Sequence, residues 1–200
     1  MPSDTTPPMP LPDIVTHYSR SQPFRSVTAA GPERWADVVA QLNDGNVWGR
    51  GRFDDPHYLT RRTAVEARMH AELLRRGGAP RIAHPYYGLL GRDERWERNG
   101  NQPHEIPLAS IPPGCVTVTV GDSLLSWDPD YRAEVEARDG PMHPLAGRLL
   151  FPDELSPDLP RLEVQLWFQP SLDATDGQDR GLEVAPDPPS SVEEGGQERG

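Results

Sequence analysis

The chain has 200 residues, a length that suits one folded unit with a real core, and it carries a net charge of −11 with no lysine. Schiff-base and P-loop chemistry both require lysine and are excluded. The single cysteine, Cys115, rules out an internal disulfide and a cysteine-rich zinc site. The acidic balance disfavours non-specific nucleic-acid binding.

Charge and composition are uneven along the chain. Residues 1–12 lack an apolar run, and residues 171–200 hold no aromatic, eight acids and two arginines, a contribution of −6. Both ends are expected to be disordered, because neither can bury enough apolar surface to offset ordering entropy. That leaves residues 13–170 as the single folded domain. No basic start followed by an apolar stretch reads as a leader, and no run approaches the ~20 apolar residues of a membrane helix. A soluble, cytoplasmic protein is the expectation.

The first element is a short β-like run, Ile14-Val15-Thr16-His17-Tyr18. Pro32 then opens a helix over 33–42, with Trp35, Val38, Val39 and Leu42 on one face and Asn43-Asp44-Gly45 as the stop. The strongest local pattern spans 56–76. Asp55 is placed to cap, Pro56 fits the first turn, and Gly77-Gly78 ends the helix. Tyr58, Val65, Met69 and Leu73 make its apolar stripe, with Arg62 between them. Arginines 61, 62, 68, 75 and 76 read as a solvated basic face, or one on which Arg61 or Arg62 meets a phosphate.

Residues 85–91 predict a strand and a glycine turn, 92–114 mostly loop, and 115–120 a second strand. Residues 127–146 are polar and irregular, 147–151 predict a strand, and 152–155 a turn. Residues 161–168 alternate cleanly: Leu162, Val164, Leu166 and Phe168 share one face, Arg161, Glu163, Gln165 and Trp167 the other. A strand, two helices and then several strands, without βαβ alternation, predict an α+β fold with a mixed or antiparallel sheet.

Three groups of residues bear on function. Gly121-Asp122-Ser123-Leu124 follows a strand and resembles the nucleophile block of GDSL-type serine hydrolases. Such a serine needs a histidine base, and His143 is the only sensible candidate. The competing reading is a turn in which Asp122 bonds local backbone. Neither His57, His70, His84, His104 nor His143 has a metal-binding spacing, so no metal site is expected. Gly49-Arg50-Gly51-Arg52 and Arg75-Arg76-Gly77-Gly78 are too short for an RNA-binding tract.

The third group is His17-Tyr18 on an early strand, Tyr86-Tyr87 on a middle strand, and Glu163 on a late strand. In order and spacing this resembles ADP-ribosyltransferase-like domains of the H-Y-E type. The resemblance implies an enzyme that binds NAD and passes ADP-ribose to a macromolecule, as a toxin or defence component. It also implies roles: His17 and Tyr18 anchor NAD, Tyr86 or Tyr87 stacks on nicotinamide, and Glu163 stabilises the ribosyl cation. Arg20, Arg25 or Arg62 would hold the pyrophosphate. The alternative from another class is a non-enzymatic interaction module that uses the arginine-rich helix 56–76.

Overall fold

The computed structural model describes residues 10–20, 23–43 and 55–171. The expected disordered ends, 1–12 and 171–200, fall almost wholly outside these residues, as do the 49–52 segment and most of the 43–45 helix stop.

Five strands form one sheet: β1 (Ile14–Ser19), β2 (Tyr86–Leu90), β3 (Gln102–Pro107), β4 (Val116–Val120) and β5 (Leu162–Leu166), in the order β3-β1-β2-β5-β4. Every neighbouring pair is antiparallel. Among the described residues five α-helices accompany it: α1 (Trp35–Asn43), α2 (Tyr58–Arg75), α3 (Glu94–Arg98), α4 (Ser123–Trp127) and α5 (Pro129–Asp139). The fold is α+β.

Register assigns the two faces of the sheet. Glu105, Thr16, Leu89, Glu163 and Thr119 form one row from edge to edge. Side chains two residues apart on a strand share a face. Tyr18, Tyr87, Gln165 and Thr117 therefore lie on the same face as that row, while Val15, His17, Tyr86, Val118 and Val164 lie on the other.

Helix α2 covers the first face. Val65, Met69 and Leu73 recur at helical spacing and are fully buried against Trp167, Leu124 and Leu149. The expected stripe is thus present. The helix begins at Tyr58, two residues later than its capping signal suggests, because the Asp55 carboxylate bonds the His57 N–H and closes a turn before it. It ends as expected, with the Gly78 N–H on the Leu73 carbonyl and Gly77 at φ 85°. The second face is covered by irregular chain: Phe24, Ile111 and Leu150 pack on Val15, Val118, Val164 and Leu166.

Several sequence readings are corrected. The segment 92–114 contains α3 and edge strand β3, and 127–146 contains the whole of α5. Residues 147–151 give only a bridge, in which Leu150 exchanges both backbone hydrogen bonds with Val118 and shields the β4 edge.

One joint in the sheet is narrow. β1 and β3 stay in register from Ile14/Pro107 to Ser19/Gln102, but β1 meets β2 at the single pair Thr16/Leu89, beside a bridge from Val15 to Gly91. Gly88 permits the close crossing there. A β-carbon on it would stand 2.9 Å from the Thr16 carbonyl oxygen and from Val15 Cγ1.

Candidate functional site

Arg62 and Glu66 lie one turn apart on the inner side of α2, so the helix carries an ion pair into its own apolar stripe. They are 8 % and 1 % exposed. Burying such groups is expensive unless each is bonded, and each is. Glu66 accepts from the Thr28 hydroxyl at 2.6 Å, from the Tyr87 hydroxyl at 3.0 Å and meets His84 Nδ1 at 2.8 Å. Arg62 Nε stands 3.5 Å from Glu66 Oε1, its Nη1 donates to Ser123 Oγ at 3.1 Å, and its guanidinium lies 3.8 Å from the Tyr87 ring centre. Burial pushes the Tyr87 hydroxyl well above its ordinary range, with the Arg62 charge opposing it.

Glu163 reaches the same place from β5. Gly121, at φ 76°, turns the chain out of β4 so that Asp122 caps α4 by accepting from Leu124 and Leu125 N–H. The next N–H, from Ser123, donates to Glu163 Oε1 at 3.1 Å, and Gln165 Nε2 donates to the same oxygen at 3.2 Å. Burial pushes the Glu163 carboxyl up, and neighbouring Asp122 adds to the effect; Arg62 and the Ser123 bonds oppose it. The result is a half-buried carboxyl beside a cation and an aromatic ring, the combination in which a proton or a developing positive charge is handled.

A buried polar ladder runs on from Glu163 along this face. Gln165 Nε2 donates to Thr119 Oγ1 at 3.0 Å, Thr117 Oγ1 donates to Gln165 Oε1 at 3.1 Å, and Trp167 Nε1 donates to Thr117 Oγ1 at 2.8 Å. Among the described residues, Thr16 Oγ1 on this face is buried without a hydrogen-bond partner. An open cleft of about 550 Å³ begins beside Leu89 and Leu162, the residues that flank Glu163, and continues past Arg92, Asp93 and Arg161.

The structure brings together Arg62, Tyr87 and Glu163 from the expected set, with Tyr18 farther along the same face. It separates the others. His17 lies on the opposite face from Glu163, so it does not share a cleft with that carboxylate. Its ring is fully engaged there: Nδ1 bonds the Tyr87 carbonyl at 2.7 Å, Nε2 accepts from Phe24 N–H at 3.1 Å, and Phe24 stacks on it at 4.7 Å. Burial lowers its pKa to about 4 despite the carbonyl bond, and His104 adds to the fall. Tyr86 is also on that opposite face, with its hydroxyl on Gln169 and its ring edge-on to Phe24. The Tyr18 hydroxyl accepts from Asp93 N–H and its ring stacks on Trp96. Arg20 bonds the Asn99 carbonyl, and Arg25 is exposed.

Two other expectations change. Ser123 is fully buried and its hydroxyl accepts from Arg62, while His143 is exposed with Nδ1 on the Leu145 N–H. The histidine base of a GDSL hydrolase is therefore not at this serine, and Asp122 makes the local turn instead. The basic face of α2 is largely paired: Arg61 meets Asp128 at 3.4 Å, Arg75 bonds Glu72, and Arg76 bonds Glu154.

Sequence reading missed Glu66, Thr28 and His84. For Glu66 a signal existed, since it follows Arg62 by four residues on the apolar stripe. Thr28 and His84 carry no such mark. Among the described residues no group of His, Cys, Asp and Glu could hold a metal, and no helix is long and apolar enough to cross a membrane. Comparison with protein-family models, with curated proteins and with solved structures found no match.

Proposed function

We propose that the protein binds NAD at the α2-covered face beside the narrow joint, breaks the bond from ribose to nicotinamide and passes ADP-ribose to a macromolecular acceptor. The observation that carries the reading is the meeting of Glu163, Tyr87 and Arg62 on one face. As the glycosidic bond breaks, nicotinamide leaves with the electron pair and positive charge grows on the ribose. The Glu163 carboxylate stabilises that charge, and the acceptor nucleophile then closes the new bond at the same carbon and gives up its proton to solvent. Tyr87 offers an aromatic surface and Arg62 a charge for the dinucleotide's phosphates. His17 takes no part in this reading; it supports Tyr87 through the backbone.

The test is nicotinamide release from NAD by the purified protein, beside Glu163→Ala. Release that vanishes in the variant is expected. No release, together with no shift in melting temperature on adding NAD, would remove the reading. An interaction module would then take its place, favoured by Leu74, which is 52 % exposed on the outer face of α2 near Arg75.

A further inference from the structure

Glu66 meets four other side chains in the site, Thr28, Arg62, His84 and Tyr87, yet it has no place in the chemistry above. Its contacts come from three separate segments: Thr28, the α2 residue Arg62, and His84 with Tyr87 at the start of β2. The groups that face Glu163 are Arg62 from α2, Asp122 before α4, and Tyr87 from β2, with neutral Gln165 and the Ser123 N–H bonded to it. Among the described residues no ion pair joins Arg62 to Glu163, although both reach Ser123, one through its hydroxyl and one through its N–H. Arg62 Nη1 also lies 4.0 Å from Asp122 Oδ1, so the guanidinium is shared among three carboxylates, Glu66, Asp122 and Glu163, according to which holds it best.

We propose that Glu66 is a positioning residue, whose carboxylate holds the Arg62 guanidinium over Tyr87 and keeps it from closing an ion pair with Glu163. Glu66 touches no reacting atom in the proposed transfer. It fixes the Tyr87 ring through the hydroxyl and the Arg62 fork through Nε, and so leaves the Glu163 carboxylate held by the neutral Ser123 N–H and Gln165 amide rather than by a cation. Its catalytic meaning rests on the proposed function, whereas its effect on Arg62 and Glu163 does not.

The test follows the Glu163 side-chain carboxyl by carbon-13 NMR against pH, with the signal assigned by its loss in Glu163→Gln. In Glu66→Gln the freed guanidinium turns to Glu163, and the Glu163 midpoint falls by about one pH unit. Arg62→Gln alone raises the midpoint, because Arg62 already lowers it; adding Arg62→Gln to Glu66→Gln is expected to raise it by about one pH unit more than that, an excess that a merely structural role of Glu66 would not produce and whose absence would overturn the proposal. An unchanged or higher midpoint in Glu66→Gln overturns the proposal. Should that variant not fold, the wild-type Arg62 Nε resonance decides. It is expected to stay constant through the Glu163 titration, and a shift that tracks Glu163 would overturn the proposal. A midpoint that falls as expected in a protein that releases no nicotinamide retains the role of Glu66 and removes only the transfer reaction.

Discussion

Thr117→Val is the sharpest probe of how the candidate site is supported. The substitution keeps the shape of the side chain and opens no cavity, so its effect is dominated by lost hydrogen bonds. It leaves two fully buried groups without partners: the Trp167 indole N–H, now 2.8 Å from a methyl, and Gln165 Oε1, which had accepted at 3.1 Å. An orphaned buried group loses roughly 1–3 kcal/mol. The extra buried methyl returns under about 1 kcal/mol. The net loss is therefore about 1–5 kcal/mol, or a melting temperature lower by about 2–20 °C for a domain of this size. Urea denaturation followed by tryptophan fluorescence measures it, with an unchanged slope expected. Gln165→Leu combined with Thr117→Val should lose less than the two single changes summed, because a partnerless acceptor disappears with its donor. A loss below about 0.5 kcal/mol in Thr117→Val would refute the reasoning and mean that water reaches this face.

Other outcomes follow from the same contacts. His17 has a folded pKa of about 4, below its ordinary 6.5, so between these values the unfolded chain binds a proton that the folded one refuses. Stability is full above pH 6.5 and falls by about 3 kcal/mol as pH drops towards 4; His17→Asn should flatten that slope, and equal slopes in both proteins would count against the assignment. Glu163 is shifted the other way, so its ionisation opposes folding as pH rises above its ordinary 4.5. Glu163→Gln should therefore gain stability relative to wild type on going from pH 4.5 to pH 8, read from denaturation midpoints; a gain that shrinks would contradict it. Gly88→Ala pushes a methyl against β1 and should destabilise by about 1–3 kcal/mol, and a neutral result would show that the joint yields freely.

Legibility in the sequence varied with how each element is held. Helix α2 was plain because its own stripe buries it. Strand β5 was plain as an alternation, but Glu163 and Gln165 gave no hint that their face is covered. A polar face enclosed by a helix looks the same in sequence as one open to water, because Thr117, Thr119, Gln165 and Trp167 satisfy each other across strands. Strand β3 carries Pro103 and Pro107, which an edge tolerates and a local reading takes for loop. Helix α5 has no buried residue, so periodicity was silent. The Asp128 cap followed by Pro129 was its one available signal. The division of His17 and Glu163 between opposite faces depends on register across β2, which spacing along one strand does not encode.

β1 is an interior strand of the sheet, yet it is made before either of its partners. β1 emerges from the ribosome with both edges bare, and its partners at Leu89 and at Gln102–Pro107 arrive only after most of the first half of the chain. Until then Ile14 and Val15 have nothing of their own to pair with, and the sheet is assembled around a strand kept waiting. Such long-range pairing folds slowly. A chain released short of residue 107 would carry an open strand edge suited to pairing with another such fragment.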